Sequence, residues 1–273
     1  MVNKVCVAAV QMNAKLGDPA ANLERAEALL SGADGRADVA CLPELFSTGY
    51  NLALLGNNLL DLAEPIPDGP TTTRLAGLAR QFNLAIIAGL VERDPDVTGL
   101  IYDTTVVIDR RGELVGRYRK SHLYPDEHRF FTSGNELPVF SLNGLTIGIA
   151  ICFEHAFPQI FTTLALRGAQ VIFNPSAVPV GFSYLQDLRT RARAQDNQCF
   201  VVAVNHVGPE GDVTYCGGSQ VANPRGEVIA CAPEDAEGVI TAELPLDLVL
   251  NQRWQEPIFR CFRPGLYEPQ ARG

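Results

Sequence analysis

The sequence predicts an α/β fold, and three observations carry that reading. Val-, Ile- and Ala-rich runs alternate with stretches of helical periodicity along most of the 273 residues, the pattern of helices packed on sheet. Runs such as Leu145-Thr146-Ile147-Gly148-Ile149-Ala150-Ile151 are apolar at nearly every position, as strands buried on both faces are. A composition of 47% hydrophobic and 19% charged residues supplies a sizeable core and excludes a disordered chain.

Taken in order, strands are expected over 5–11, 37–42, 84–91, 104–108, 145–152, 171–173, 200–205, 218–222 and 239–244, each rich in Val, Ile or Ala. Helices are expected over 20–30, 71–82, 158–167 and 184–198. Ser183 and Gln186 have the spacing of a capping box for the last helix, and Gly168 reads as the glycine that ends the one before it. Arg110-Arg111-Gly112 and Asn223-Pro224-Arg225-Gly226 read as turns between strands. No linker, repeat or low-complexity stretch divides the chain, so residues 1–273 are read as one domain. Its end, 251–273, carries Trp254, Phe259, Phe262 and Tyr267 among three prolines, and is expected to be an irregular arm packed on the body or on a partner subunit.

A formal charge of −9 argues against nucleic acid as a partner, which would need a basic face. No stretch has the ~18 consecutive apolar residues of a membrane span, and the first residues lack a basic segment followed by a long apolar one. A cytoplasmic protein without membrane contact is the expectation. The seven cysteines form no Cys-x-x-Cys and the four histidines do not cluster with them, so neither a metal site nor disulfides are expected. There is no G-x-S-x-G elbow, Walker loop, G-x-G-x-x-G after a strand or H-E-x-x-H, which argues against an elbow-type serine hydrolase, a nucleotide hydrolase and a zinc protease.

Three residues stand where a strand gives way to a loop. Cys152 follows the apolar run 145–151 and precedes Phe153-Glu154-His155, and sites of open α/β sheets lie at the carboxyl ends of strands. Glu44 follows Val39-Ala40-Cys41-Leu42, introduced by the rigid Pro43. Lys120 is one of only three lysines among 22 basic residues, kept in a chain that otherwise uses arginine. A compact ammonium suits a point-charge role that a guanidinium fork does not.

With their flanks, Leu42-Pro43-Glu44-Leu45-Phe46, Arg119-Lys120-Ser121-His122-Leu123 and Ile149-Ala150-Ile151-Cys152-Phe153-Glu154, these residues make the chain resemble the nitrilase superfamily of carbon–nitrogen hydrolases. The resemblance extends to Gln11 in the opening strand, to Phe173-Asn174-Pro175-Ser176-Ala177 and to Arg191-Ala192-Arg193-Ala194-Gln195-Asp196-Asn197. It implies a four-layer α-β-β-α sandwich, a Glu44-Lys120-Cys152 triad, and Glu127 as a second glutamate that positions the lysine and the substrate. It also implies protomers paired into a homodimer or a multiple of it. Tyr50, Phe153 and Asn174 flank the expected site as substrate-binding candidates.

The implied chemistry is that of an amidase working without cofactor. Glu44 would take the proton of the Cys152 thiol, Lys120 would hold the oxyanion, and a thioester would be hydrolysed by water. The expected substrate is a small carboxamide. An N-carbamoyl amino acid is the alternative, since related carbamoylases share the same residues. Nitrile hydrolysis ranks lower, because nitrilases proper usually carry Trp where this chain has Phe153. An acyltransferase and a non-catalytic scaffold are the remaining readings. A Cys–His dyad with His122 or His155 is disfavoured, and Arg189, Arg191 and Arg193 are expected on a solvated or salt-bridged helix face.

Overall fold

In the computed structural model, which describes residues 3–142 and 144–266, most strands gather into two six-stranded sheets. In chain order they are β1 (Lys4–Gln11), β2 (Val39–Cys41), β3 (Ala85–Arg93), β4 (Ile101–Ile108), β5 (Leu114–Arg119), β6 (Val139–Leu142) and β7 (Leu145–Ile149). The others are β8 (Val171–Ser176), β9 (Phe200–Asn205), β10 (Val207–Glu210), β11 (Val213–Cys216), β12 (Gln220–Ala222), β13 (Val228–Cys231) and β14 (Gly238–Pro245). The first sheet has the order β14-β1-β2-β3-β4-β5 and the second β13-β12-β9-β8-β7-β6, with β10 and β11 pairing as a separate hairpin. Each sheet has a parallel trio at its centre, β1-β2-β3 in one and β7-β8-β9 in the other, with antiparallel strands on both sides.

The helices are α1 (Pro19–Ser31), α2 (Leu52–Leu55), α3 (Asn58–Leu62), α4 (Pro70–Gln81), α5 (Pro158–Leu166), α6 (Ser183–Asp196), α7 (Asp247–Gln255) and α8 (Ile258–Cys261). Strand alternation sorts side chains into layers. Val5, Val7 and Ala9 of β1 face inward with Ile147, Ile149, Phe173 and Val202 of the other sheet, forming the core between the sheets. Ala8 and Val10 face outward onto Ala26 and Leu30 of α1 and Leu75 and Leu78 of α4. On the far side Ile172 and Val201 meet Ile160, Phe161 and Leu164 of α5 and Ala194 of α6. The result is the four-layer α-β-β-α sandwich, with both sheets buried on two faces, which explains why the central strands read as continuous apolar runs.

Several expectations change in detail. Strand β7 ends at Ile149 instead of running through Cys152, because Ile151 N turns to the Glu154 carboxylate and Cys152 opens a 3-10 turn over Cys152–Ala156. Ser183 does not cap α6, whose first residue it is. The Gln186 amide donates instead to the carbonyls of Gly217 and Gly218, so the capping box is replaced by a tertiary contact. The glycine at 168 does end α5, with φ +98° and Ala169 N bonded to Leu164 O. The expected arm has no break at Asn251, since α7 runs across it and Gln198 Nε2 donates to Glu256 O at the end of that helix. Phe259 and Phe262 are half-buried and Trp254 is 65% exposed; Tyr267 lies outside the described residues.

Candidate active site

The parallel strands of each trio end on the same side, and the loops that follow carry Glu44 and Cys152. Lys120 joins them because β5 runs antiparallel to β4, which in turn begins where β3 ends. Gly89 of β3 makes room for the Glu44 loop. A Cβ there would come within 2.6 Å of Leu45 N and 2.9 Å of Glu44 Cα. Leu45 itself takes a left-handed φ of 45°, and His206 Nε2 donates to the Glu44 carbonyl at 2.6 Å from the end of β9.

Cys152 also has a left-handed backbone, φ 44°, a conformation that costs a non-glycine residue about 1–2 kcal/mol. What holds it is Glu154. One of its carboxylate oxygens accepts from Ile151 N at 2.7 Å, and the other from Tyr118 OH at 2.6 Å, Ser121 Oγ at 2.6 Å and Ser121 N at 2.9 Å. The buried Glu154 therefore couples the cysteine turn to the segment that carries Lys120. Asn174 of β8 adds a second tie, its amide donating to Ala150 O at 2.6 Å and Cys152 O at 3.3 Å.

The side chains meet in one buried polar group. Lys120 Nζ lies 2.6 Å from Glu44 Oε1 and 2.6 Å from Glu127 Oε1, with all three side chains fully buried. Tyr50 OH donates to the same Glu127 oxygen, and Tyr124 N donates to Glu127 Oε2 at 2.7 Å. Asp103 Oδ2 stands 3.5 Å from Lys120 Nζ. Glu44, Asp103 and Glu127 together have the spacing of a cation site, and the Lys120 ammonium occupies the place a metal ion would take. Burial raises the Glu44 carboxyl above its ordinary value against the pull of Lys120. Burial and the charge of Glu44 push the Cys152 thiol up as well, so the ground state is a thiol beside a base and not a ready thiolate.

A cavity of about 790 Å³ opens above this group. Cys152, Tyr50 and Phe153 line it, while Asn174 is buried behind the cysteine backbone and does not. The other lining residues of note are Tyr124, Arg129, His155 and Arg189. On α6, Arg191 and Arg193 are salt-bridged as expected, to Asp187 and Asp196, while Arg189 departs from the expectation by lining the cavity. Arg189 reaches His155 Nε2 at 2.9 Å, and Arg193 also donates to the His155 carbonyl. Burial and those guanidiniums push His155 down to about 3, which removes it as a base at neutral pH.

Sequence reasoning missed Asp103, Glu154, His206 and the cavity-facing Arg189. An acid near the start of a strand that ends in the apolar Val106-Val107-Ile108 was a readable signal for Asp103, since acids are rarely buried without a partner. Nothing local marks His206 or Arg189, whose roles depend on what folds against them.

The fold and the buried group define an α/β protein with a thiol set beside a carboxylate and an ammonium at the ends of paired sheets. The family profile described as carbon-nitrogen hydrolase matches residues 6–253, and the chain belongs to that family, within the nitrilase superfamily. It is 39% identical over 267 residues to a protein named nitrilase from Pyrococcus abyssi, covering 96% of this chain and 99% of that one. It is 33% identical over 270 residues to the 2-oxoglutaramate amidase of Bacillus subtilis, covering 97% and 100%. A crystal structure of a Saccharomyces cerevisiae member of branch 10 of the nitrilase superfamily superposes with a TM-score of 0.88 at 27% identity, over 96% of this chain and 98% of that one. The protein is a hydrolase of carbon–nitrogen bonds.

Proposed function

We propose that this chain hydrolyses a small non-peptide carboxamide to its acid and ammonia through a thioester on Cys152. The observation that carries the reading is the Lys120 ammonium held at 2.6 Å by both Glu44 and Glu127 behind a cysteine that faces the cavity. As sulfur attacks the amide carbon, Glu44 accepts the thiol proton and the C–S bond forms. The carbonyl oxygen takes the negative charge, met by Lys120 and by the backbone N–H that follows Cys152. Collapse breaks the C–N bond, and the proton on Glu44 passes to the leaving amine, which departs as ammonia. Glu44 then draws a proton from water as it attacks the thioester, and the released sulfur recovers that proton.

The cavity wall favours an acyl part that carries an anionic group. Arg129 and Arg189 both line it, and neither has an ion-pair partner among the described residues, since Arg189 is bonded only to the neutral His155 and Arg129 lies over Phe130. Asp126, Asp212 and Arg129 are all exposed at the cavity rim, with Asp212 engaged by Asn51 Nδ2 at 2.8 Å, so the half-buried Arg189 is the cation that supports this reading. An amide of a dicarboxylic acid fits this wall, in line with the name of the Bacillus subtilis relative. An N-carbamoyl amino acid meets the same chemistry and is the second reading.

An ammonia-release screen over neutral amides, carboxylate-bearing amides, carbamoyl amino acids and nitriles tests both. Cys152→Ala is expected to abolish turnover in a folded protein, and mass spectrometry should find an acyl adduct on the wild type alone. More than a few per cent of activity in the folded variant would overturn the assignment.

A further inference from the structure

Asp103 is the buried group of the site that the proposed chemistry leaves without a part. It lies near the start of β4, opposite Val91 of β3, with no exposed surface. Its backbone carbonyl accepts from Lys120 N at 2.9 Å. Its side-chain oxygen is 3.5 Å from Lys120 Nζ, and a carboxyl oxygen of each of Glu44, Asp103 and Glu127 lies within 4.8 Å of the others. The charged groups around it are Glu44 from the loop after β2, Lys120 at the end of β5 and Glu127 from the turn beyond, with the Cys152 thiol after β7.

One ammonium cannot balance three buried carboxylates at this spacing, so a proton stays among them. The supply of donors decides which carboxyl keeps it. Both oxygens of Glu127 are met, by Lys120 Nζ, Tyr50 OH and Tyr124 N. Glu44 Oε1 is met by Lys120 Nζ, while Oε2 has no donor. Neither oxygen of Asp103 has one. The group with the least support for an anion has a carboxyl oxygen within 4.8 Å of a Glu44 oxygen, and Glu44 Oε2 lacks a hydrogen.

We propose, building on the function above, that Asp103 is a positioning residue that retains its proton and donates it in a hydrogen bond to Glu44 Oε2. Glu44 thereby stays an anion with both oxygens directed, one by Lys120 and one by Asp103, and is ready to take the thiol proton. Burial and the charge of Glu44 hold the Asp103 carboxyl well above the usual carboxylate range, the direction this requires. The same hydrogen bond opposes the upward push of burial on Glu44. Asp103 touches no substrate and forms no bond in the reaction.

The test is the pH profile of kcat/KM for Asp103→Asn and Asp103→Leu, with folding checked by circular dichroism. The amide of Asn still offers a hydrogen to Glu44, so the acid limb should stay within about half a pH unit of wild type. Leu offers none, and the limb should move up by roughly one unit or more, with kcat/KM below the limb falling at least about tenfold. Were Asp103 an anion, Asp103→Asn would remove a negative charge and move the limb down. That result, or an unmoved limb in a folded Asp103→Leu, overturns the proposal. Infrared difference spectra between wild type and Asp103→Asn at pH 8 read the proton without turnover. A protonated-acid carbonyl band present only in wild type supports it, and its absence overturns it. Because that band needs no substrate, it separates failure of this proposal from failure of the assigned reaction.

Discussion

Lys120 shows how much a single residue's surroundings specify. Its ammonium is enclosed with no exposed surface, between oxygens on three sides. A guanidinium is larger and planar and cannot fill that space as a point charge, so Lys120→Arg is expected to be nearly as damaging as Lys120→Ala. Loss of one oxyanion donor costs roughly 10²–10³ in kcat, which sets the minimum drop to be seen in ammonia-release rates. A near wild-type rate for Lys120→Arg would remove Lys120 from the mechanism. His155 gives a second residue-scale expectation. Its folded value lies below its unfolded value, so its neutral form adds stability that is complete above pH 6.5 and is lost as pH falls toward 3. Between pH 6.5 and 5 the loss is about 2 kcal/mol at one unit per 1.36 kcal/mol. Urea unfolding at pH 7 and pH 5 checks this. His155→Gln should reduce the difference, with His206, which burial also lowers, contributing in the same direction.

Among elements, β3 and the loops around it decide whether the residues meet. The Glu44 loop crosses Gly89 so closely that any side chain would strike its backbone. Gly89→Ala is therefore expected to displace Glu44 and lower kcat by roughly tenfold or more, since a shift of ~1 Å in a catalytic group can cost 10²-fold. Steady-state kinetics beside thermal unfolding would distinguish this from general destabilisation; full activity would show that the loop can shift harmlessly. The hairpin β10–β11 supports the other end of the same loop. Glu210 accepts from Tyr50 N at 2.9 Å and Asn51 N at 2.6 Å, and Gly49 has no Cβ to block it. That hairpin was not expected from the sequence, because its strands are short and Val207-Gly208-Pro209-Glu210 lacks an apolar alternation. Glu127, by contrast, was singled out by the resemblance to the nitrilase superfamily, and it does reach the lysine.

At the scale of the whole molecule, Trp254, Leu250 and Leu266 are 65%, 59% and 65% exposed near the end of the described chain. Such surface is expected to be covered by a second protomer. Because Leu250 and Trp254 both lie on α7, replacing the pair by glutamate should leave the fold intact and give a smaller species. Light scattering that finds unchanged mass and solubility would dispose of the assembly role. The α/β class, the central strands and helices α1, α4, α5 and α6 were readable in the sequence because hydrophobic period is a local property, whereas α7 was missed and the set Glu44, Lys120, Glu127 and Cys152 rested on strand-end position together with the family resemblance. Only the tertiary structure decided that Asp103 joins that group, that Asn174 and Glu154 brace the cysteine turn, and that Arg189 faces the cavity. The physical reason is that burial and hydrogen-bond partners belong to pairs of segments far apart in the chain. A carboxyl's proton depends on what is packed against it, and no local pattern records that.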